Sequence, residues 1–171
     1  EPFIHIDCDV FIFNDVFKSY FNDISFDGIV QSIDINKNYP IYETFHHSNK
    51  NKLIGLGFID NNLSNLSYEK YLSVIAYNNG VVGFRNLKFL NEYIEQAKFM
   101  NHLINNSILI NAKHQTMIFE QYLLYYLSQK HGLNMFEIVP EDDIISYGYN
   151  ETGNKYGYTH LLSGNKFVGS F

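Results

Sequence analysis

Phe3 Ile4 His5 Ile6 Asp7 Cys8 Asp9 Val10 Phe11 Ile12 opens the chain with apolar and β-branched residues on both sides of two carboxylates. Such a run reads as a buried, central strand. Alternation along a strand puts residues i and i+2 on one face, so Asp7 and Asp9 point at one spot. Two carboxylates that close repel each other unless a cation or a shared proton neutralises them. Their oxygens suit Mg²⁺ or Mn²⁺, which leave coordination positions for substrate phosphates. The competing reading is a strand end where both carboxylates are solvated. A central strand with no support N-terminal to it carries the further expectation that an upstream part of the domain precedes Glu1.

Working outward, Asp27 to Ile35 alternates as a second strand, and the polar stretch from Asn36 to Asn51, which holds Pro40, His46 and His47, reads as a loop with solvated histidines. Leu53 to Asn65, with Gly55, Gly57 and several Asn, reads as irregular. Ser73 to Tyr77 and Val81 to Phe84 read as two strand segments separated by an Asn78 Asn79 Gly80 turn. From the N-cap Asn86, Leu90, Ile94, Ala97, Met100 and Leu103 recur at helical spacing. A second, deeply buried helix is expected over Gln115 to His131, stopped by Gly132, followed by a short strand from Leu133 to Val139 before Pro140. Strands mixed with two substantial helices define an α/β domain, in which ligands gather at strand ends. The 171 residues are read as one domain.

Hydrophobic residues make up 46% and charged residues 18%, so the chain is too apolar for disorder. Aromatics are high at 17%, which assigns large rings to the core or to a groove. A net charge of −6, from Lys+Arg 12 against Asp+Glu 18, gives no footprint for nucleic acid. The single cysteine, Cys8, forbids an intrachain disulfide and a multi-cysteine zinc site, pointing to a reducing, cytoplasmic compartment. Its acidic neighbours disfavour the thiolate, so it is not read as a nucleophile. No apolar run reaches the length of a membrane span.

With these motifs in place, the chain resembles a glycosyltransferase of the GT-A fold, whose DxD motif is matched by Asp7 Cys8 Asp9. Tyr77 Asn78 Asn79 Gly80 Val81 Val82 Gly83 resembles the Asn-x-Gly strand entry beside the donor sugar, a plain glycine turn being the other reading. Glu120 Gln121 is similar to the acidic-Gln pair near the sugar hydroxyls, the alternative being an exposed helical turn. Tyr158 to Lys166 resembles the His-x-x-Gly-x-x-Lys signature of glycogenin-like and lipopolysaccharide galactosyltransferase enzymes, although three residues separate His160 from Gly164, one separates Gly164 from Lys166, and no Pro-Trp follows.

The resemblance implies a GT-A-like mixed sheet flanked by helices, of which this chain is the C-terminal portion. It implies a metal-dependent enzyme that moves a sugar from a nucleotide-diphosphate donor to a hydroxyl acceptor such as a glycan. Asp7, Asp9 and His160 would hold Mn²⁺ or Mg²⁺. Lys166 would assist the leaving group and Glu120 the acceptor proton, while Asn78, Gly80, Gln121 and Gly164 would contact the donor. Asp142 and Asp143 are further acidic candidates. Two other functions compete. A strand ending in Asp7 Cys8 Asp9 also resembles the nucleophile motif of haloacid dehalogenase-type phosphatases, with Val10 where their Gly stands. A non-catalytic sugar-binding remnant would instead use the Tyr-rich C-terminal segment.

Overall fold

The computed structural model describes residues 3–7, 10–12, 15–20, 22, 25–34, 41–61, 74–140 and 153–160. It is an α/β structure: a mixed four-stranded sheet, a two-stranded ribbon, and helices. Its elements gather into two compact units, Glu1–Ser32 with Asn78–Arg85 and Asn134–Phe171, and Ile33–Tyr77 with Asn86–Leu133. Neither unit is a continuous stretch of chain, so no single cut separates one from the other.

In the first unit, β1 (Phe3–Ile6) pairs antiparallel with β4 (Ala76–Phe84), in the register Ile6 with Val81 and Phe3 with Phe84. β3 (Gly28–Asp34) pairs parallel with β5 (Met135–Glu137), and the sheet order is β1-β4-β3-β5. β2 (Val10–Ile12) leaves this sheet to form an antiparallel ribbon with β6 (Tyr158–His160). Short helices α1 (Val16–Ser19) and α6 (Gly153–Tyr156) flank the ribbon in sequence. The opening run is therefore not one central strand. It divides between two sheets, and β1 stands at the end of its sheet with all four residues exposed.

β4 also departs from expectation. It is continuous through Asn78 Asn79 Gly80, and all nine of its residues are buried. Gly80 keeps a strand backbone; the left-handed glycines among the described residues are Gly57, Gly132 and Gly157. The apolar cluster of this unit contains Ile29, Val81, Ile138, Val139, Tyr156 and Tyr158, with Val10, Tyr20 and Phe136 packed against it. It joins residues of β2, β3, β4, β5 and β6. Two glycines permit the close approach of the inner strands. A Cβ on Gly28 would sit 2.8 Å from the Gly83 carbonyl oxygen and 2.9 Å from the Met135 methyl, and one on Gly83 would sit 3.1 Å from Ile29.

The second unit holds α2 (Ile41–Gly55), α3 (Leu87–Asn105) and a composite helix made of α4 (Gln115–Met117), a π-helical turn (Ile118–Tyr122) and α5 (Leu123–Lys130). α2 replaces the expected loop. Its buried stripe is Tyr42, Phe45, His46, Asn49 and Leu53, a helical spacing hidden from a hydrophobic count because two of the five are polar. The Asn49 amide donates to the Phe45 and Ile110 carbonyls, each at 2.7 Å, and accepts from the Ile110 N–H at 2.9 Å. His46 Nδ1 lies 2.8 Å from the Tyr122 hydroxyl, and its ring stacks on Tyr126.

α3 matches its expected span. The Asn86 side chain accepts from the Lys88 and Phe89 N–H groups, satisfying two of the donors that a helix start leaves unpaired. The composite helix runs as expected to Lys130, with Gly132 beyond it at φ 62°.

Two outcomes test this packing. Gly28→Ala should lower the unfolding free energy by about 1–3 kcal/mol in urea titration, because backbone on one side cannot yield to the added methyl. Burial, with His47 and Lys50 nearby, lowers the His46 pKa from 6.5 to about 4. The neutral imidazole is thus favoured on folding, so its contribution is present above pH 6.5 and is lost as pH falls through about 4. Over that interval the wild type should lose about 3 kcal/mol more stability than His46→Asn. Equal pH slopes for the two proteins would contradict the assignment.

Candidate functional site

Backbone geometry in the first unit brings together three motifs far apart in sequence. The Asp7 N–H donates to the Gly80 carbonyl at 3.0 Å, extending the β1–β4 pairing by one bond. The Val10 N–H then donates to the Asp7 carbonyl at 3.1 Å, closing a turn between β1 and β2. On the ribbon, Val10 pairs with His160. The chain at Asp7 is therefore held to Gly80 on one side, and three residues later it lies opposite His160.

The apolar cluster explains this convergence. Val81 follows Gly80, Val10 begins β2, and Tyr158 begins β6; all three pack in the same cluster. Burying such side chains contributes about 1.5–3 kcal/mol each. Polar groups carried beside them are thereby located at little conformational freedom.

Side-chain geometry is more selective. Asp7 is partly exposed, and its Oδ1 lies 2.9 Å from His5 Nε2. His5 was not a candidate from the sequence, although its i−2 spacing from Asp7 is the signal that marks it. β1 ends at Ile6, so strand alternation does not extend through Asp7, and the argument for a shared carboxylate face loses its strand basis. Asp9, Cys8, Asp142, Asp143, Gly164 and Lys166 lie outside the described residues. His160 is placed by its backbone alone. Among the described residues, no three His, Cys, Asp or Glu side chains gather as a cation site.

Asn78 and Gly80 are both buried, and the Asn78 Oδ1 accepts from the Gly80 N–H at 3.1 Å. At least one face of this side chain serves its own strand. Asn79 is buried beside Asn78, and next to them in the sheet β3 carries two fully buried polar residues, Gln31 and Ser32, that the sequence reading passed over. Buried polar groups on inner strands carry a desolvation cost that an apolar residue would avoid, so four of them mark this part of the sheet.

Glu120 and Gln121 belong to the second unit, where both fall in the π-helical turn. Such turns recur at functional sites. Glu120 is exposed, while the Gln121 side-chain oxygen accepts a hydrogen bond from the Tyr42 hydroxyl. The wider turn displaces carbonyls from ordinary helical pairing, and the Tyr93 hydroxyl donates to the backbone carbonyls of Phe119 at 2.9 Å and Glu120 at 3.2 Å. Burial first, then the Glu120 carboxylate, raises the Tyr93 pKa, so this donor keeps its proton.

The convergence at Asp7 depends on Val81, which gives a direct test. Val81→Ala should cost about 1–3 kcal/mol and speed hydrogen exchange at the Asp7 and Val10 amides more than at the α3 amides. Uniform acceleration over the whole chain would show that the cluster does not act locally.

No curated protein and no solved structure gives a significant match to this chain. One family model does, and it covers residues 1–169, which include every candidate residue named above. The chain belongs to that family, DUF6734, a family of unknown function.

Proposed function

We propose that this protein is a metal-dependent glycosyltransferase, acting in the cytoplasm and moving a sugar from a nucleotide-diphosphate donor to a hydroxyl acceptor. The observation that carries the reading is the backbone convergence of Asp7, the Asn78–Gly80 segment and His160: Asp7 bonds to Gly80, and Val10 pairs with His160. Core packing gives no reason for Asp7 and His160 to be borne on adjoining backbone, whereas a shared cation would use both.

The donor chemistry suits the group. Carboxylate oxygens with one imidazole match Mn²⁺ or Mg²⁺, and Asp7 is open to solvent on one side. Asp7, Asp9 and His160 would hold the ion. Once bound, it supplies a Lewis acid for the diphosphate leaving group. The remaining work falls to the chain itself. His5 orients the Asp7 carboxylate through the contact at 2.9 Å, and Asn78 stiffens the strand entry that faces it. Lys166 would add an ammonium toward the departing diphosphate. The reading rests on the first unit alone.

Nucleotide release from a panel of nucleotide sugars, with and without Mn²⁺ or Mg²⁺, tests it. Turnover should require the metal, and Asp9→Asn should lower it by about 10–100-fold or more while thermal melting stays unchanged, because Asn keeps the shape but removes an anionic ligand. Metal-independent turnover, or an unaltered rate in Asp9→Asn, would sink the proposal. Phosphate release from simple phosphomonoesters would favour the phosphatase instead.

A further inference from the structure

The second unit carries a surface feature unrelated to the proposed chemistry. Four of its large apolar side chains are exposed around one end: Leu56 at 38%, Phe99 at 42%, Ile108 at 43% and Ile110 at 46%. Named contacts tie them together. The Lys52 ammonium donates to the Ile108 carbonyl at 2.7 Å, one helical turn before Leu56. Asn49 clamps the Ile110 backbone from both sides, and Asn111 donates to Ser48 at 2.7 Å. Phe99 stacks on Phe58, two residues beyond Leu56.

This surface is built rather than incidental. Ser107, Asn111 and His114 all adopt left-handed backbone, at φ 58°, 55° and 57°. Non-glycine residues pay strain there, and such strain persists only where surrounding structure enforces it. Leu109 is buried as the anchor, while Ile108 and Ile110 on either side of it face water. A chain free to relax would not hold two isoleucines out by means of strained neighbours.

Charge around the patch is the second observation. Residues 44–59 and 96–119, the segments stitched together here, contain no Asp or Glu and carry Lys50, Lys52, Lys98 and Lys113, while Asp60 and Glu95 stand at their borders. The chain as a whole has 18 carboxylates against 12 cationic side chains. Glu95, at the border, is taken up by Lys98 at 2.7 Å, and Lys130 donates to the Gly57 carbonyl beside Leu56. An acidic protein thus carries an apolar surface on segments in which lysines outnumber carboxylates.

We infer that this tip docks on an anionic lipid surface, with Ile108, Ile110, Leu56 and Phe99 entering the headgroup boundary and the lysines facing lipid phosphates. Exposed aliphatic side chains bracketed by cations are what an anionic bilayer binds, and shallow insertion needs no spanning segment. Among the described residues no helix is long and apolar enough to cross a membrane. It holds whether or not the proposed transfer reaction is right, because none of its residues belongs to the first unit.

The test is sedimentation of the full chain with vesicles of phosphatidylcholine alone or mixed with phosphatidylglycerol. The chain should pellet with the anionic vesicles and bind the neutral ones at least about tenfold more weakly. Ile108→Ser combined with Ile110→Ser should weaken binding by about tenfold, and each of Lys50→Ala and Lys113→Ala by about fivefold, with added salt weakening the wild type. The sequence contains no tryptophan, so Ile108→Trp introduces a single indole whose emission should shift to the blue on anionic vesicles. That measurement decides the matter if the serine variant fails to fold. Failure to pellet, an unshifted indole, or unchanged binding by a folded serine variant would overturn the inference. So would a vesicle-free dimer that the serine variant converts to monomer, which would make a second copy the occupant.

Discussion

Every residue of β4 is buried, and a strand without access to water must have its N–H and C=O groups paired by protein. That constraint fixes what lies beside it. β1 and β3 take the two sides of the strand, and the Asp7 N–H continues the ladder at Gly80 after β1 has ended. Once Val81 is committed to the apolar cluster with Val10 and Tyr158, the acidic turn and the end of the ribbon follow. The candidate site is a by-product of this satisfaction of backbone and apolar surface. It is located by side chains that have no chemistry of their own.

The second unit solves a comparable problem with polar groups placed inside a helical core. His46, Asn49 and Ser128 are buried, and each spends its hydrogen-bonding capacity on a named partner: the Tyr122 hydroxyl, the Ile110 backbone, and the Leu124 and Tyr125 carbonyls. Burial raises the Tyr122 pKa as it lowers that of His46, so both members of the pair stay neutral. Neutrality is what lets such a network exist without the desolvation cost of an ion pair. The same connections hold the strained loop that presents Ile108 and Ile110, so core polarity and surface shape have one origin.

Site and surface differ in how they are assembled. Around Asp7, residues far apart in sequence are drawn together by backbone pairing. Around Ile108 and Ile110, α2 and the loop after α3 are cross-linked by side chains, and the loop backbone bears the strain.

The amino-acid sequence alone determined the α/β class, the span and cap of α3, the composite helix up to Gly132, and the strands over Gly28–Asp34 and Met135–Glu137. Each carries a local signal, whether helical spacing, an N-cap, or β-branched residues between turn formers, that needs no distant partner. The resemblance read from the same sequence grouped Asp7, Asp9 and His160 as ligands, with Asn78 and Gly80 beside the donor, and of these Asp9 lies outside the described residues. What it could not decide was where long-range pairing overrides local pattern. Asn78 Asn79 Gly80 has the composition of a turn, yet it is strand because neighbours on both sides supply its hydrogen bonds. Residues 41–55 have the composition of a loop, yet they are helix because Tyr122 and Ile110 satisfy His46 and Asn49. The opening run has the pattern of one strand, yet it divides where two sheets compete for it. The surface at Ile108 and Ile110 was invisible for a related reason: α2 and the loop after α3 are far apart in sequence, and only tertiary packing joins them.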